Sequence, residues 1–328
     1  MADMMRVVGF RENVAVDAEM PIPSPEGHDL LVRIEAVSVN PLDVIERARR
    51  SAKPELGILG YDAAGVVEAV GGQAALFQPG DEVYYAGSIA RPGTNTEYHL
   101  VDERVVGRKP AGLDFAAAAA LPLTTITAWE TLHDRFRLAR EATGTMVVVG
   151  AAGGVGSMLL QLARQQFPDL TLIGTASRPE SRAWAEEMGA HHVVDHHGDL
   201  AAAVLEIAPQ GVEYVFSPYS AGKLTAYATM LKPFGQVTAL DQVDARASEL
   251  FAKSLTWHWE MMFSRPLYAP GDTTHHDLLN VVAELVDAGQ LRGTMTKRLG
   301  PIGAATLAEA HQLMESARSI GKVVVAGW

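Results

Sequence analysis

The sequence contains no cysteine among its 328 residues. This absence excludes disulfide bonds, thiolate nucleophiles and every zinc site built on cysteine. The longest uncharged run, residues 145–163, contains four glycines, so it fits a buried strand, turn and helix rather than a membrane span. No apolar core follows residues 1–6, so we expect no secretory signal and a cytoplasmic protein.

Positive charge is also scarce. The chain has 27 basic and 39 acidic residues, which give a net charge of −12. This balance disfavours polyanions over the surface at large, so we expect neither nucleic acid nor a membrane as a partner. Any phosphate must therefore be bound at a specific local site. The length allows two domains, each with its own core.

A glycine-rich turn is the strongest local signal. Residues 146–149 form a short, β-branched apolar run, residues 150–156 contain four glycines, and apolar residues then recur at helical spacing to about residue 167. A strand, glycine turn and helix in this order direct backbone N–H groups at a phosphate. The G-x-G-x-x-G fingerprint is met from position 151, with Ala151 in place of the first glycine. A turn that merely needs small residues is the alternative.

The organisation of the chain changes around this turn. Residues 1–122 contain short strand-like runs between turn signals, which predict a mostly β domain. Residues 123–265 include alternating strand and helix patterns, which predict a doubly wound parallel sheet with its ligand at the carboxyl ends of the strands. Residues 266–328 end in the apolar run 322–326, which needs a sheet to join. We expect that run to return to the first domain.

The end of the second predicted strand favours NADP(H) over NAD(H). An NAD-binding unit places an acidic residue there for the ribose, whereas this sequence has Ser177 and Arg178. Arginine offers a charge-assisted fork to a 2′-phosphate. Ser177 and Glu180 also fit a helix capping box, which would occupy Ser177 but leave Arg178 available.

Several motifs resemble the medium-chain dehydrogenase/reductase superfamily, and within it the quinone oxidoreductase branch. They are Val-Asn-Pro-Leu-Asp at 39–43, Gly-Tyr-Asp-Ala-Ala-Gly at 60–65, Pro-Gly-Asp-Glu-Val at 79–83, Ala-Leu-Pro-Leu-Thr-Thr-Ile-Thr at 120–127, the glycine turn at 150–156, and Gly-Lys-Val-Val-Val at 321–325. The stretch 253–263 is similar to proteins named zinc-type alcohol dehydrogenase-like. The resemblance implies a GroES-like catalytic domain, a Rossmann domain and a nicotinamide bound in a cleft between them.

The resemblance does not extend to the zinc ligands. Zinc members place a cysteine near the position of Asn40 and a His-Glu pair near Tyr61 and Asp62. Without a Lewis acid, alcohol oxidation loses its usual means of polarising the substrate oxygen. Hydride delivery to an electron-poor acceptor, such as a quinone or an α,β-unsaturated carbonyl, needs only orientation and hydrogen bonds to the developing oxyanion.

The family pattern also assigns roles to single residues. Asn40 is the candidate for the polar contact beside the nicotinamide, with a turn-forming Asn as the alternative. Tyr61 is the candidate donor to an enolate or quinone oxygen, with a plain wall residue as the alternative. We expect Trp257, Met262 and Phe263 to form an apolar substrate wall, and core packing is the alternative for each. The predicted cofactor-binding residues are Thr127, Ala152, Gly153, Gly154, Val155, Ser177, Arg178, His196, Leu240 and Lys322.

Three other patterns carry less weight. The histidines at 191–192 and 196–197 suggest a metal cluster, but solvated histidines in a loop explain them better, and residues 275–277 have the same interpretation. Tyr219 and Lys223 match the Tyr-x-x-x-Lys pattern of short-chain reductases but lie too soon after the glycine turn.

We therefore predict an NADPH-dependent, zinc-independent reductase of quinones or activated alkenes, acting on a small molecule as a homodimer. A carbonyl or alcohol oxidoreductase of the same fold is the alternative enzyme. An NADPH-binding regulatory protein with little turnover is the alternative of another class.

Overall fold

The structure is a computed structural model that describes residues 3–50, 53–243 and 247–328. The chain forms two compact units. Thr127–Met262 makes one, the central unit, and Met1–Ile126 with Phe263–Trp328 makes the other, the flanking unit. The chain thus passes from one unit to the other after Ile126 and after Met262. The domain boundaries predicted from the sequence lie after residues 122 and 265.

The elements follow one another in mixed order. The strands are β1 (Met4–Arg11), β2 (Val14–Pro21), β3 (Asp29–Val39), β4 (Gly57–Ile58), β5 (Asp62–Val70), β6 (Glu82–Ala86), β7 (Tyr98–Asp102), β8 (Val106–Arg108), β9 (Gly144–Val148), β10 (Leu170–Thr175), β11 (His192–Val194), β12 (Val212–Ser217), β13 (Leu231–Ala239), β14 (Thr256–Trp259), β15 (Met295–Leu299) and β16 (Lys322–Ala326). The α-helices are α1 (Pro41–Arg49), α2 (Phe115–Ala119), α3 (Pro122–Glu130), α4 (Gly154–Gln166), α5 (Pro179–Glu187), α6 (Leu200–Ile207), α7 (Leu224–Met230), α8 (Ala247–Phe251), α9 (Ser264–Tyr268), α10 (Thr274–Asp287) and α11 (Ala304–Glu315). A 3₁₀ turn covers Glu103–Val105, and a π-helix covers Thr131–Arg135.

The flanking unit is mostly β. Its larger sheet has seven strands in the order β15-β16-β3-β5-β6-β8, with β7 paired to β3. The apolar C-terminal run forms β16, which pairs antiparallel with β3 at Val324 and Ser38. The ends of β16, β3 and β5 are therefore neighbours in this sheet although they are far apart in sequence. A smaller sheet has the order β2-β1-β4.

The central unit is a doubly wound sheet. Its six strands are parallel and have the order β11-β10-β9-β12-β13-β14. The strand order reverses between β9 and β12, and ligands of such sheets bind at the carboxyl ends beside this switch point. Val147, Ile173 and Val215 lie on neighbouring strands and are completely buried, as the apolar runs predicted.

These sheets confirm the predicted fold class, a Rossmann sheet with a second, mostly β domain. The helical stretch around Pro122 is interrupted: α2 ends at Ala119, α3 begins at Pro122, and the π-helix follows α3. A proline at the first position of a helix is well accommodated, whereas within a helix it removes a hydrogen bond. No helix in the described ranges is both long and apolar enough to cross a membrane.

Candidate functional site

The glycine turn leads directly into α4. Gly150 has a positive φ of 69°, and its N–H donates to Thr175 Oγ1 at 3.0 Å. Gly153 is the N-cap of α4 and donates to Gly150 O at 2.9 Å, and no side chain caps the helix. A Cβ at Gly156 would lie 2.4 Å from Gly150 O, so this position accepts only glycine without rearrangement.

The same turn fits the diphosphate of a dinucleotide. The first N–H groups of an α-helix have no partner within the helix, and they attract anions. The predicted residues Ala152, Gly153, Gly154 and Val155 form the last part of the turn and the start of α4. A Cβ at Gly153 would lie 3.3 Å from Gly150 O, so the backbone there already packs closely. The start of α4 thus offers backbone N–H groups to a phosphate, and the close packing at Gly153 and Gly156 also requires small residues there.

The structure excludes the capping-box alternative for Ser177. Helix α5 begins at Pro179, and its N-cap is Arg178 rather than Ser177. Ser181 completes the cap, because its Oγ accepts from Arg178 N at 3.2 Å. Proline at the first helical position fixes the cap one residue later than the box at Ser177 requires. The Arg178 guanidinium lies 3.3 Å from Glu180 and is about two-thirds buried.

His196 and Leu240 follow strands at the carboxyl edge of the sheet. Burial, then the nearby His197 and Lys223, lower the pKa of His196, so its ring is neutral at neutral pH. Leu240 follows β13, and its N–H donates to Ser217 O at 3.1 Å. Both residues are half-buried.

Thr127, Trp257 and Met262 also lie in the central unit. Thr127 lies in α3 and is 4% exposed, and Met262 is 3% exposed. The Trp257 ring packs against the hydrophobic core of this unit. This contact agrees with core packing, the alternative to a substrate-wall role for Trp257.

A buried polar cluster in the flanking unit unites Asn40, Asp62 and Lys322. The Lys322 ammonium binds Asn40 Oδ1 at 2.5 Å, Val39 O at 3.0 Å and Asp62 Oδ2 at 3.1 Å. Asn40 Nδ2 donates to Asp62 Oδ2 at 2.8 Å, and Leu123 N donates to Asp62 Oδ1 at 2.7 Å. The side chains of Lys322 and Asp62 are 3% and 0% exposed.

In this cluster, two predicted site residues, Lys322 and Asn40, form hydrogen bonds with other groups of the protein. Three acceptors take the three protons of Lys322, and the Asn40 amide bonds Lys322 and Asp62. A ligand contact by either side chain would displace a protein partner. The sequence placed Lys322 with the cofactor residues and Asn40 with the catalytic ones, whereas the structure joins them directly.

Asp43 is a further member of the cluster, and the sequence motif did not assign it a role. Its carboxylate accepts from Asn40 N at 2.7 Å and from Gly60 N at 3.0 Å. Burial raises the pKa of Asp43 to about 7, against the opposing effect of these N–H donors and of Lys322. The signal that could have found it is its place three residues after Asn40, at the capping-box position of a helix with proline at its start.

Tyr61 and Phe263 come together in the flanking unit. Their ring centroids are 5.3 Å apart and the planes are tilted by 61°. Tyr61 is 5% exposed, and its hydroxyl hydrogen-bonds no residue in the described ranges. Burial, with smaller contributions from Asp43 and Glu46, raises the pKa of Tyr61. The hydroxyl therefore stays protonated at neutral pH and can donate a hydrogen bond.

Comparisons with known proteins cover the chain from end to end. The alcohol dehydrogenase GroES-like domain model matches residues 26–123, and the zinc-binding dehydrogenase model matches residues 188–325. A zinc-type alcohol dehydrogenase-like protein of Staphylococcus epidermidis is 36% identical, over 98% of this chain and 99% of its own length. A quinone oxidoreductase of Lama guanicoe is 28% identical, over 97% and 94%.

Solved structures agree with these matches. A candidate zinc-dependent alcohol dehydrogenase from Rhizobium etli CFN 42 is 45% identical, with a TM-score of 0.94 over 100% of this chain and 99% of its own. A quinone oxidoreductase from Pseudomonas syringae pv. Tomato DC3000 is 25% identical, with a TM-score of 0.83 over 98% and 99%.

The zinc in several of these names does not fit the residues present. Zinc sites use Cys, His, Asp or Glu, and the described ranges hold no group of three such residues suited to a metal. Of the positions expected for ligands, Asn40 offers an amide, Tyr61 a protonated phenol, and Asp62 a carboxylate already bound to Lys322. The Lys322 ammonium thus already neutralises the charge of the Asp62 carboxylate.

The Lys322–Asp62 pair gives a test of this cluster. Replacing Lys322 by Met leaves the Asp62 charge buried without its cation, so we expect the free energy of unfolding in urea to fall by about 3–5 kcal/mol. Lys297→Met is the control, because Lys297 and Glu309 are about half exposed and their pair should contribute less than about 1 kcal/mol. Similar losses for the two variants would contradict the role assigned to Lys322.

Proposed function

Because the chain belongs to the medium-chain dehydrogenase/reductase superfamily of oxidoreductases, we propose that it is an NADPH-dependent, zinc-independent reductase of quinones or α,β-unsaturated carbonyls. The observation that carries the zinc-independent part is the Lys322 ammonium on Asp62. A quinone oxidoreductase among the relatives supports the acceptor class. Such acceptors are electron-poor already, so they accept hydride without a Lewis acid.

In the proposed mechanism, NADPH would supply the hydride when bound. The glycine turn and the start of α4 bind its diphosphate, and Ser177 and Arg178 bind the 2′-phosphate. The Tyr61 hydroxyl donates a hydrogen bond to the acceptor oxygen, on which negative charge develops as hydride arrives. Hydride and one proton together would complete the two-electron reduction, and water would supply the proton, because burial makes the Tyr61 phenol a weaker acid.

The buried cluster positions Tyr61 in this proposal. Gly60 N donates to Asp43, and Asp62 is paired with Lys322, so both chain neighbours of Tyr61 are fixed. Phe263 packs against the ring and completes an apolar wall. Asn40 supports this arrangement indirectly, because its amide hydrogen-bonds both Lys322 and Asp62.

The proposed reaction is tested by following NADPH absorbance against quinones, enones, ketones and alcohols. We expect quinones and enones to accelerate NADPH oxidation, with simple ketones slow. Tyr61→Phe should lower kcat with an enone by about 10²-fold, because one oxyanion donor is lost, while the unfolding midpoint stays unchanged.

Three outcomes distinguish the alternatives. Faster turnover of ketones or alcohols would favour the carbonyl or alcohol oxidoreductase. Tight NADPH binding without turnover of any acceptor would favour the regulatory protein. An unchanged kcat in Tyr61→Phe would assign the oxyanion contact to another group.

The choice of NADPH is tested at Arg178. Removing its guanidinium in Arg178→Ala should weaken NADPH by about 2 kcal/mol, or about thirtyfold in Kd, because a charge-assisted bond to phosphate is lost. NADH should lose less than about threefold, since it has no 2′-phosphate. The exposed Arg140 gives a charge-matched control, Arg140→Ala, that should change neither. Equal losses for NADPH and NADH would show that the 2′-phosphate is bound elsewhere.

We also propose a homodimer formed at the edge of the central sheet. In the described ranges β14 ends this sheet, and Trp259 is 55% exposed while Phe251 nearby in sequence is 84% exposed. An exposed strand edge with aromatic residues is an unfavourable surface for a monomer. Sedimentation should give twice the chain mass of 35.1 kDa, and Trp259→Glu should give the monomer. A monomeric wild-type protein would contradict this proposal.

A further inference from the structure

Two buried glutamates meet in the central unit. Glu130 ends α3 and is 0% exposed, and Glu260 follows β14 and is 4% exposed. Arg135 Nε donates to Glu260 Oε2 at 2.7 Å, and Arg135 Nη2 lies 3.9 Å from Glu130 Oε2. Glu260 Oε1 is buried and has no hydrogen-bond partner in the described ranges. The proposed reaction uses none of these three residues.

The charges of this group balance only with a proton. One guanidinium faces two carboxyl groups, and a buried carboxylate without compensation is costly. A proton on either carboxyl would also supply a donor for the other. Burial, then Glu130, raises the pKa of Glu260 to about 9, against the opposing effect of Arg135. The other charged or titratable side chains recorded nearby are His258 and Arg137, and burial and both arginines lower the pKa of His258.

The pair joins two segments that carry predicted cofactor residues. Thr127 precedes Glu130 by three residues on α3, so both lie on one side of the helix. Glu260 N donates to Ala239 O at 2.9 Å, directly before Leu240 at the carboxyl edge of the sheet. The π-helix Thr131–Arg135 continues α3 and brings Arg135 to the pair. These segments are also where the chain enters and leaves the central unit.

We propose that Glu130 and Glu260 share a proton, and that this proton fixes the helix carrying Thr127 against the sheet edge carrying Leu240, where NADPH binds. The two glutamates are positioning residues. Loss of the proton leaves two carboxylates on one arginine, and the segments separate. The proposal rests on the proposed NADPH-dependent function and adds a pH limit to it.

Titration of NADPH affinity with pH tests this role. We expect the Kd of the wild-type protein to rise above about pH 9, by up to about tenfold per pH unit, because one proton is lost from the binding-competent form. Glu260→Gln keeps a donor to Glu130 without titrating, so its Kd should stay nearly constant up to about pH 10. The 2′-phosphate titrates near pH 6 and does not contribute in this range. Glu206→Gln is the control, because Glu206 is exposed and the side-chain substitution is the same.

Urea unfolding tests the shared proton without any cofactor. Between about pH 4.5 and about pH 9 the folded protein retains a proton that the unfolded chain releases, so stability decreases as pH rises through this window. The wild-type unfolding constant should increase with pH by up to about tenfold per unit more than that of Glu260→Gln. Glu206→Gln should follow the wild-type protein.

The outcomes separate this inference from the proposed function. Normal NADPH binding with the same pH dependence in the wild-type protein and Glu260→Gln would overturn the positioning role. Equal pH slopes of unfolding would overturn the shared proton. Failure of the wild-type protein to bind NADPH at neutral pH would overturn the proposed function, and the positioning role with it.

Discussion

The buried pair of Lys322 and Asp62 is the interaction on which the flanking unit depends. The lysine begins β16 and the aspartate begins β5, and β3 lies between these two strands in the sheet. A carboxylate in this position is stable only with a partner that brings opposite charge. The last strand of the chain is therefore required to complete a site whose other members lie among the first hundred residues, and Asn40 at the end of β3 bridges the two.

The same pair determines which chemistry the site can support. Asp62 directs its oxygens to Lys322, Asn40 and Leu123 N, so the carboxylate serves the protein rather than a metal. Tyr61 is fixed between Asp62 and Gly60, and burial keeps its hydroxyl protonated. In the proposed function, a rigid hydrogen-bond donor such as the Tyr61 hydroxyl suits an acceptor that needs orientation and a hydrogen bond. The proposed quinones and enones are acceptors of this kind.

The sequence predicted features that short stretches of chain determine. The glycine turn was predictable because the local backbone favours glycine there: Gly150 has a positive φ, and a Cβ at Gly156 would lie too close to Gly150 O. The parallel sheet was predictable from the alternation of strands and helices. The capping box at Ser177 was wrong by one residue, although Pro179 already indicated where α5 begins. The partners of Lys322 could not be predicted, since its contacts with Asn40 and Asp62 join residues far apart in sequence.

Glu260 shows a second reason why some contacts could not be predicted from the sequence. An isolated glutamate after a strand normally indicates a solvated position, because burial of a carboxylate is costly. The cost is reduced here by Arg135 and by a proton shared with Glu130, and neither is visible in the sequence around Glu260. The two buried acids thus illustrate different solutions to one electrostatic problem. Asp62 is compensated by the Lys322 side chain, whereas Glu260 is compensated by Arg135 together with the proposed proton, and so its arrangement depends on pH.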